Sequence, residues 1–314
     1  MPSKIINACK NDNMAHLQQI DHIPVPDIWG RFPIYYAVRY KSCRAVELLL
    51  MKGADIHCLN TISGHKVDLL YTALKTRDIT LIRCVLKHWG KTYTDIDEYL
   101  PLIFDSNIDI LSAFIVHFDV KSLKEHESIL CKYARIQHYI WLRAHNICFD
   151  IQQTLKYTII YRKTACFSYI LTHHVKHVEQ VNYIYQTGTR SNFTVLSLCA
   201  IHGYLKGLRE LQVKGVDYNI ITVNNRGETM NNIMALVDNE MYGKESASHK
   251  AAIRCCLIYL LTKNPINWQN SRGQTALMMA YRAGNGELAE ILINNGADMD
   301  IPDMDGHRAN NYVK

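Results

Sequence analysis

Ten cysteines and fifteen histidines are the side chains best able to do chemistry in this chain of 314 residues. A cysteine nucleophile needs a histidine base and a helix N-terminus or oxyanion hole beside it. Cys43, Cys58, Cys84, Cys148, Cys199 and Cys255 lie mostly in apolar stretches, and no protease signature surrounds any of them. There is no C-x-x-C pair, and the adjacent Cys255 and Cys256 cannot easily bridge each other. The cysteines therefore read as small core residues in a reducing compartment. His173-His174-x-x-His177 invites a metal, since His173 and His177 stand at i, i+4 of an expected helix end. Only Glu179 lies near them as a further ligand, and histidines at a helix C-terminus also suit the dipole. No metal and no cofactor is assigned. Paired carboxylates, a phosphate-cradling glycine loop and a G-x-S-x-G elbow are all absent. The chain reads as not an enzyme, with a cysteine-dependent activity in the central helices as the alternative.

The elements that would position any site are best defined near the C-terminus. Thr275 can cap a helix by accepting an orphan backbone N–H. Leu277, Ala280 and Tyr281 then recur on one helical face, and Gly284 ends the helix. Leu288, Ile291 and Leu292 repeat the pattern in a second helix, and Gly296 suits a left-handed turn after it. Two such short helices cannot bury their apolar faces alone; they need copies stacked on either side.

Residues 270–300 resemble one ankyrin repeat. Gly273 opens the unit, and Thr275-Ala276-Leu277 stands where the family has Thr-Pro-Leu. Ala280, Gly284 and the closing Gly296-Ala297-Asp298 follow at the family spacing, and Gly306 opens the next unit 33 residues after Gly273. Residues 27–57 hold a second clear copy, with Gly30, Pro33-Ile34, Ala37 and Gly53-Ala54-Asp55. Phe32 and Tyr35 stand there where Thr and His are usual, which removes the family's Thr/His hydrogen bonds. A weaker copy, 64–90, has Leu69, Leu70 and Ala73 on one helix and Leu81, Ile82, Val85 and Leu86 on the next. Residues 192–219 return to pattern. Gly227 lies 46 residues before Gly273, so that repeat carries a polar surface insertion at 238–249.

The resemblance implies an all-α fold, an ankyrin-repeat solenoid of about eight or nine helix-pair repeats, degenerate in the middle. As domains it gives a single solenoid over 1–314. Its parts are an N-terminal cap at 1–26, repeats at 27–92, degenerate helix pairs at 93–180, repeats at 181–302 and a truncated repeat at 303–314. Within the degenerate stretch the apolar rhythm predicts helix pairs at 98–105 with 108–117, 125–134 with 136–145, and 152–161 with 164–173. A non-ankyrin helical insert is the competing reading.

Ankyrin arrays bind partner proteins through finger tips and the exposed end of each first helix. On this chain the resemblance places Trp29, Arg31, Arg39, Tyr40, Arg190, Phe193, His202, Arg226, Arg272, Gln274 and Arg282 there. Arginine and aromatics dominate binding energy at interfaces, so a protein partner with an acidic segment is expected on a concave face. Lysines are dispersed and the net charge is a mild +6, which argues against nucleic acid. No apolar run approaches the roughly 18 residues of a membrane span. Met1-Pro2-Ser3-Lys4 leads straight into an amphipathic segment, so no signal peptide is expected and a cytoplasmic monomer is. The Tyr-, Ile-, Asn- and Lys-rich texture resembles proteins of large DNA viruses and intracellular bacteria. From such a source the chain would work in the host cytosol, sequestering or redirecting a host protein.

Overall fold

Short polar side chains start many of the helices. Ser42, Asp68, Asn107, Asp150, Asn231 and Thr275 each accept a backbone N–H from the first turn that follows. The computed structural model describes residues 2–20, 25–62, 64–90, 96–121, 123–186, 192–224 and 226–313. Two compact units emerge, 1–148 and 149–314. The division falls inside the stretch where the repeat consensus is lost.

Unit 1 contains helices α1 (Pro2–Lys10), α2 (Met14–Gln18), α3 (Pro33–Arg39), α4 (Cys43–Met51), α5 (Leu69–Thr76), α6 (Ile79–Trp89), α7 (Leu100–Phe104), α8 (Ile108–Phe118), α9 (Glu127–Tyr133) and α10 (Ile136–Ala144). The odd-numbered helices stack in one row and the even-numbered in a second. Unit 2 repeats the plan. Its first row holds α11 (Ile151–Ile160), α13 (Val195–Ile201), α15 (Asn232–Val237) and α17 (Ala276–Arg282). Its second row holds α12 (Thr164–His173), α14 (Leu205–Val213), α16 (Ala247–Leu261) and α18 (Gly286–Asn294). Antiparallel hairpins project from three junctions: β1 (Asn60–Ile62) with β2 (His65–Val67), β3 (Ile184–Gln186) with β4 (Asn192–Thr194), and β5 (Thr222–Val223) with β6 (Thr229–Met230). Six helices, α7 to α12, occupy residues 100–173 among the described residues.

The core lies between the two rows. Leu69, Leu70, Ala73, Leu81, Ile82 and Val85 have no exposure in unit 1, nor have Ala280, Leu288 and Leu292 in unit 2. Each large aliphatic side chain so placed contributes about 1.5–3 kcal/mol.

Four finger turns share one hydrogen-bond device. Asp27, Asn224, Asn270 and Asp303 each accept two backbone amides on Oδ1, from residues two and four further on. In each, the glycine at the third following position has a positive φ and donates back to the Asx carbonyl. Gly273 (φ +74°) is confined further, because a Cβ there would meet the Met304 backbone nitrogen at 2.8 Å. The middle of the chain keeps the left-handed turns without the glycines. Arg77 and Arg162 hold φ of 55° and 56° where other repeats place Gly203 or Gly284, and Asp119 and Asn146 hold 51° and 55° where others place Gly215 or Gly296. A finger there shrinks to a backbone bridge, Leu123 N–H to Cys148 O (2.7 Å) and Cys148 N–H to Lys121 O (3.1 Å).

A left-handed non-glycine residue costs about 1 kcal/mol or more. Gly284→Ala (φ +73°, open space around it) is therefore expected to cost about that much in urea unfolding. Gly273→Ala should cost at least twice as much, because the same strain is joined by a backbone clash. Lys41→Gly, at φ +62°, should stabilise by about 1 kcal/mol.

Candidate partner-binding faces

In unit 1 the Asp27 turn positions an alternating stack of rings and cations. Asp27 Oδ2 accepts Arg31 Nε (3.2 Å) and the Tyr36 hydroxyl. Burial alone would raise the Asp27 carboxyl, but the hydrogen bonds from Tyr36 and from the Arg31 and Trp29 amides hold it below its ordinary value. Burial and that same carboxylate push Tyr36 up to about 12. The Arg31 guanidinium carbon then lies 4.5 Å from the Trp29 ring centre and 5.3 Å from that of Tyr36. Lys10 Nζ lies 5.7 Å from the Tyr36 ring centre and 5.5 Å from that of Tyr40. The order Trp29, Arg31, Tyr36, Lys10, Tyr40 is a cation–π ladder whose outer rings, Trp29 and Tyr40, are 59% and 49% exposed.

Arg39, next to Tyr40 at the end of α3, lines a hollow of about 650 Å³ with His65, Lys66, Tyr71 and Lys75. Lys75 stands over Tyr71 (5.5 Å). Glu98 is the carboxylate on this wall. Trp29, Arg31 and Tyr40 thus belong to the ladder, with Lys10 and Tyr36, and Arg39 belongs to the hollow, with Lys66 and Lys75. The Tyr71/Lys75 spacing of i, i+4 was the available signal for the last of these.

Unit 2 uses its arginines differently. Glu228 follows the turn glycine Gly227 and is fully buried. It accepts Arg282 Nη1 (2.9 Å) and Nη2 (2.7 Å), Arg226 Nε (3.2 Å) and Asn224 Nδ2 (2.7 Å), and Arg272 Nη1 stands 3.5 Å away. Arg226 Nη2 also donates to both oxygens of Asp238 (2.7 and 2.6 Å). Burial would raise the Glu228 carboxyl, yet the hydrogen bonds from Arg282 and Asn224 bring it down to about 2. Burial raises Asp238 against the pull of Arg226 and Arg282. Arg282 is not the open surface group its register suggests: its side chain is 20% exposed and spans from its own repeat back to Glu228. Gln274 is buried too, holding Arg282 Nη1 (3.2 Å) and donating to the Tyr312 hydroxyl (3.0 Å). Arg272 remains 57% exposed.

Phe193, on β4, and Arg226 line a second groove, of about 520 Å³, together with Met230 and Met241. His202 caps the end of α13 near His249, Arg162 and Glu245, and burial lowers its pKa. Arg190 lies outside the described residues.

The 238–249 insertion is on the surface but bolted down. Tyr242 is 2% exposed, and its hydroxyl donates to Glu287 (3.0 Å). Asn285 Nδ2 donates to the Val237 (2.7 Å) and Asn239 (3.0 Å) carbonyls. Residues 247–249 already belong to α16. Removing this segment would strip a buried ring from the core, contrary to the tolerance expected of a surface loop.

Burial pushes the Cys9, Cys84 and Cys256 thiols up to about 12 and Cys58 to about 11, so these stay protonated near neutrality. Helix α12 ends at His173, which stacks on Tyr169 (4.3 Å), so His173 and His177 do not share a helix. Among the described residues one trio, Asp303, Asp305 and His307, brings potential metal ligands together, and its members are the Asx residue of the last finger and the two neighbours whose amides it accepts.

Comparison with known families matches residues 29–61 to the ankyrin repeat and 220–303 to ankyrin repeats in three copies. An ankyrin repeat protein of Acanthamoeba polyphaga mimivirus is 32% identical over 69 residues. That alignment covers 22% of this chain and 9% of the viral protein.

Because Glu228 titrates at about 2 in the folded chain and near its ordinary 4.5 when unfolded, it stabilises above pH 4.5. That contribution, on the order of 3 kcal/mol, is lost as pH falls from about 4.5 towards 2. Chemical unfolding of Glu228→Gln should show a flatter acid limb than wild type. Arg282→Ala, which leaves the buried carboxylate short of its main partner, should cost about 3–5 kcal/mol at neutral pH. Tyr242→Ala is expected to lower stability by about 3 kcal/mol, read as a shift of the thermal midpoint.

Proposed function

We propose that this chain, an ankyrin-repeat protein, is a non-enzymatic interaction module that grips an acidic segment of a partner protein. Ankyrin repeats are protein-interaction modules, and the finer reading rests on unit 1. There Arg39, Lys66 and Lys75 converge on one hollow, and the same unit exposes the rings of Trp29 and Tyr40. That convergence is the observation that carries the proposal. Carboxylates would pair with the cations, and an aromatic or aliphatic side chain of the partner would lie on Trp29 or Tyr40. Because Asp27 and Tyr36 already hold the ladder in place, little side-chain entropy remains to be lost on binding.

Function is then occupancy: the partner is held, and the surface it would use elsewhere is covered. Similarity to a mimivirus ankyrin repeat protein supports a pathogen source. The partner would then be a host protein, sequestered or redirected in the host cytosol.

The test is fluorescence anisotropy with a labelled dodecapeptide of alternating Glu and Phe, against a control with Gln for Glu. The acidic peptide should bind at least tenfold tighter than the control, and the gap should narrow with added salt. The triple variant Arg39→Glu, Lys66→Glu, Lys75→Glu should lose that preference while keeping its circular dichroism spectrum. Equal binding of both peptides, or full preference retained by the folded triple variant, would overturn the reading.

A further inference from the structure

The groove in unit 2 is lined differently from the hollow in unit 1. Its floor is apolar: Phe193 from β4, Ile201 from α13, Met230 from β6 and Ala235 from α15. The insertion forms one wall through residues 238–241. That wall is fixed from behind by the Asn285 hydrogen bonds to the Val237 and Asn239 carbonyls and by the buried Tyr242 ring. Arg226 is the cation on the lining, and it is spent on Asp238 and Glu228. Glu240 is different. It is 76% exposed, and its contact with Arg226 Nη1 is long, at 3.8 Å. Among the described lining residues Asp238 is taken by Arg226 and Arg282, which leaves Glu240 as the exposed carboxylate at the lip with only a long contact to a cation. Met241, also on the wall, is 55% exposed, an unbranched and adaptable side chain of the kind that moulds to an incoming group.

We infer that this groove takes an extended peptide segment carrying an apolar side chain of Leu, Met or Phe size with a Lys or Arg within two residues of it. The apolar group fills the floor between Phe193, Met230 and Met241, and the cation pairs with Glu240. A cavity of about 520 Å³ holds one such side chain together with its flanking backbone. The insertion thereby contributes to recognition, since without residues 238–241 the floor would be open on that side and would lack its charge. This surface is separate from the acid-binding hollow of unit 1 and asks for the reverse charge.

A phage-displayed library of random dodecapeptides, selected on the full chain bearing the unit 1 triple charge reversal, removes the basic hollow from the experiment. Enrichment of Leu, Met or Phe with Lys or Arg within two positions is expected. On the same background Glu240→Lys should replace the basic preference by Asp or Glu, and Met241→Asp should weaken the selected peptides at least tenfold. Both residues are largely exposed, so thermal midpoints should stay put. No enrichment, an acidic motif on the unsubstituted groove, or a basic motif indifferent to both substitutions would overturn the inference. Because the hollow is disabled throughout, failure here and failure of the acidic-segment reading are separate results.

Discussion

A helix pair of this size cannot cover its own apolar face, and most of the structure follows from that. Most of the helices run five to eleven residues, below the length at which a helix stands alone in water. Each pair becomes stable when the next is stacked on it. Polar links between neighbours then fix the register. The Tyr99 hydroxyl reaches Asp68 one repeat back. Ser42 bonds to Asp12, Thr194 to Asn232 (2.8 Å) and Gln274 to Tyr312 (3.0 Å). These bonds join residues about one repeat apart in sequence. A slip of one helical turn between two neighbours would break the bond that joins them.

The Glu228 cluster carries the same logic into charge. A buried carboxylate is costly unless it is fully paired, and Glu228 is paired by arginines from its own finger, the next finger and the next first helix. Arg226 and Arg282 are therefore drawn inward to satisfy it, while Arg272 reaches it from a largely exposed position. Unit 1 has the ring-and-cation ladder at the equivalent finger, where Arg31 rather than a glutamate follows the turn glycine. The residue after that glycine thus differs in use: Glu228 gathers arginines, whereas Arg31 pairs with Asp27 and joins the ladder.

The architecture was legible because its signals are local: the glycines, the caps such as Thr275, and the apolar spacing of Leu288 and Leu292 are each readable within one repeat. The middle of the chain looked degenerate for an equally local reason. Asp119, Asn146 and Arg162 adopt the left-handed turn that glycine announces elsewhere, so the backbone persists where its letter does not. The sites were less legible, because they depend on pairings across repeats. Register alone put Arg282 and Gln274 on the surface. It could not reveal that Glu228, 54 residues before Arg282, would claim it. Likewise the polar letters of 238–249 hid Tyr242, one aromatic residue whose burial makes that segment part of the core.

The two units thus place their cations differently, and this bears on how substitutions are to be interpreted. In unit 2, exchanging Arg226 or Arg282 for glutamate sets a second carboxylate against a buried one, so any loss of binding there first reports loss of packing. In unit 1, Arg39, Lys66 and Lys75 line a hollow with Glu98 as the carboxylate on its wall. Their charges can be reversed without orphaning a buried anion such as Glu228. A charge reversal is therefore least costly to stability where the cations face a hollow, and most costly where they face Glu228.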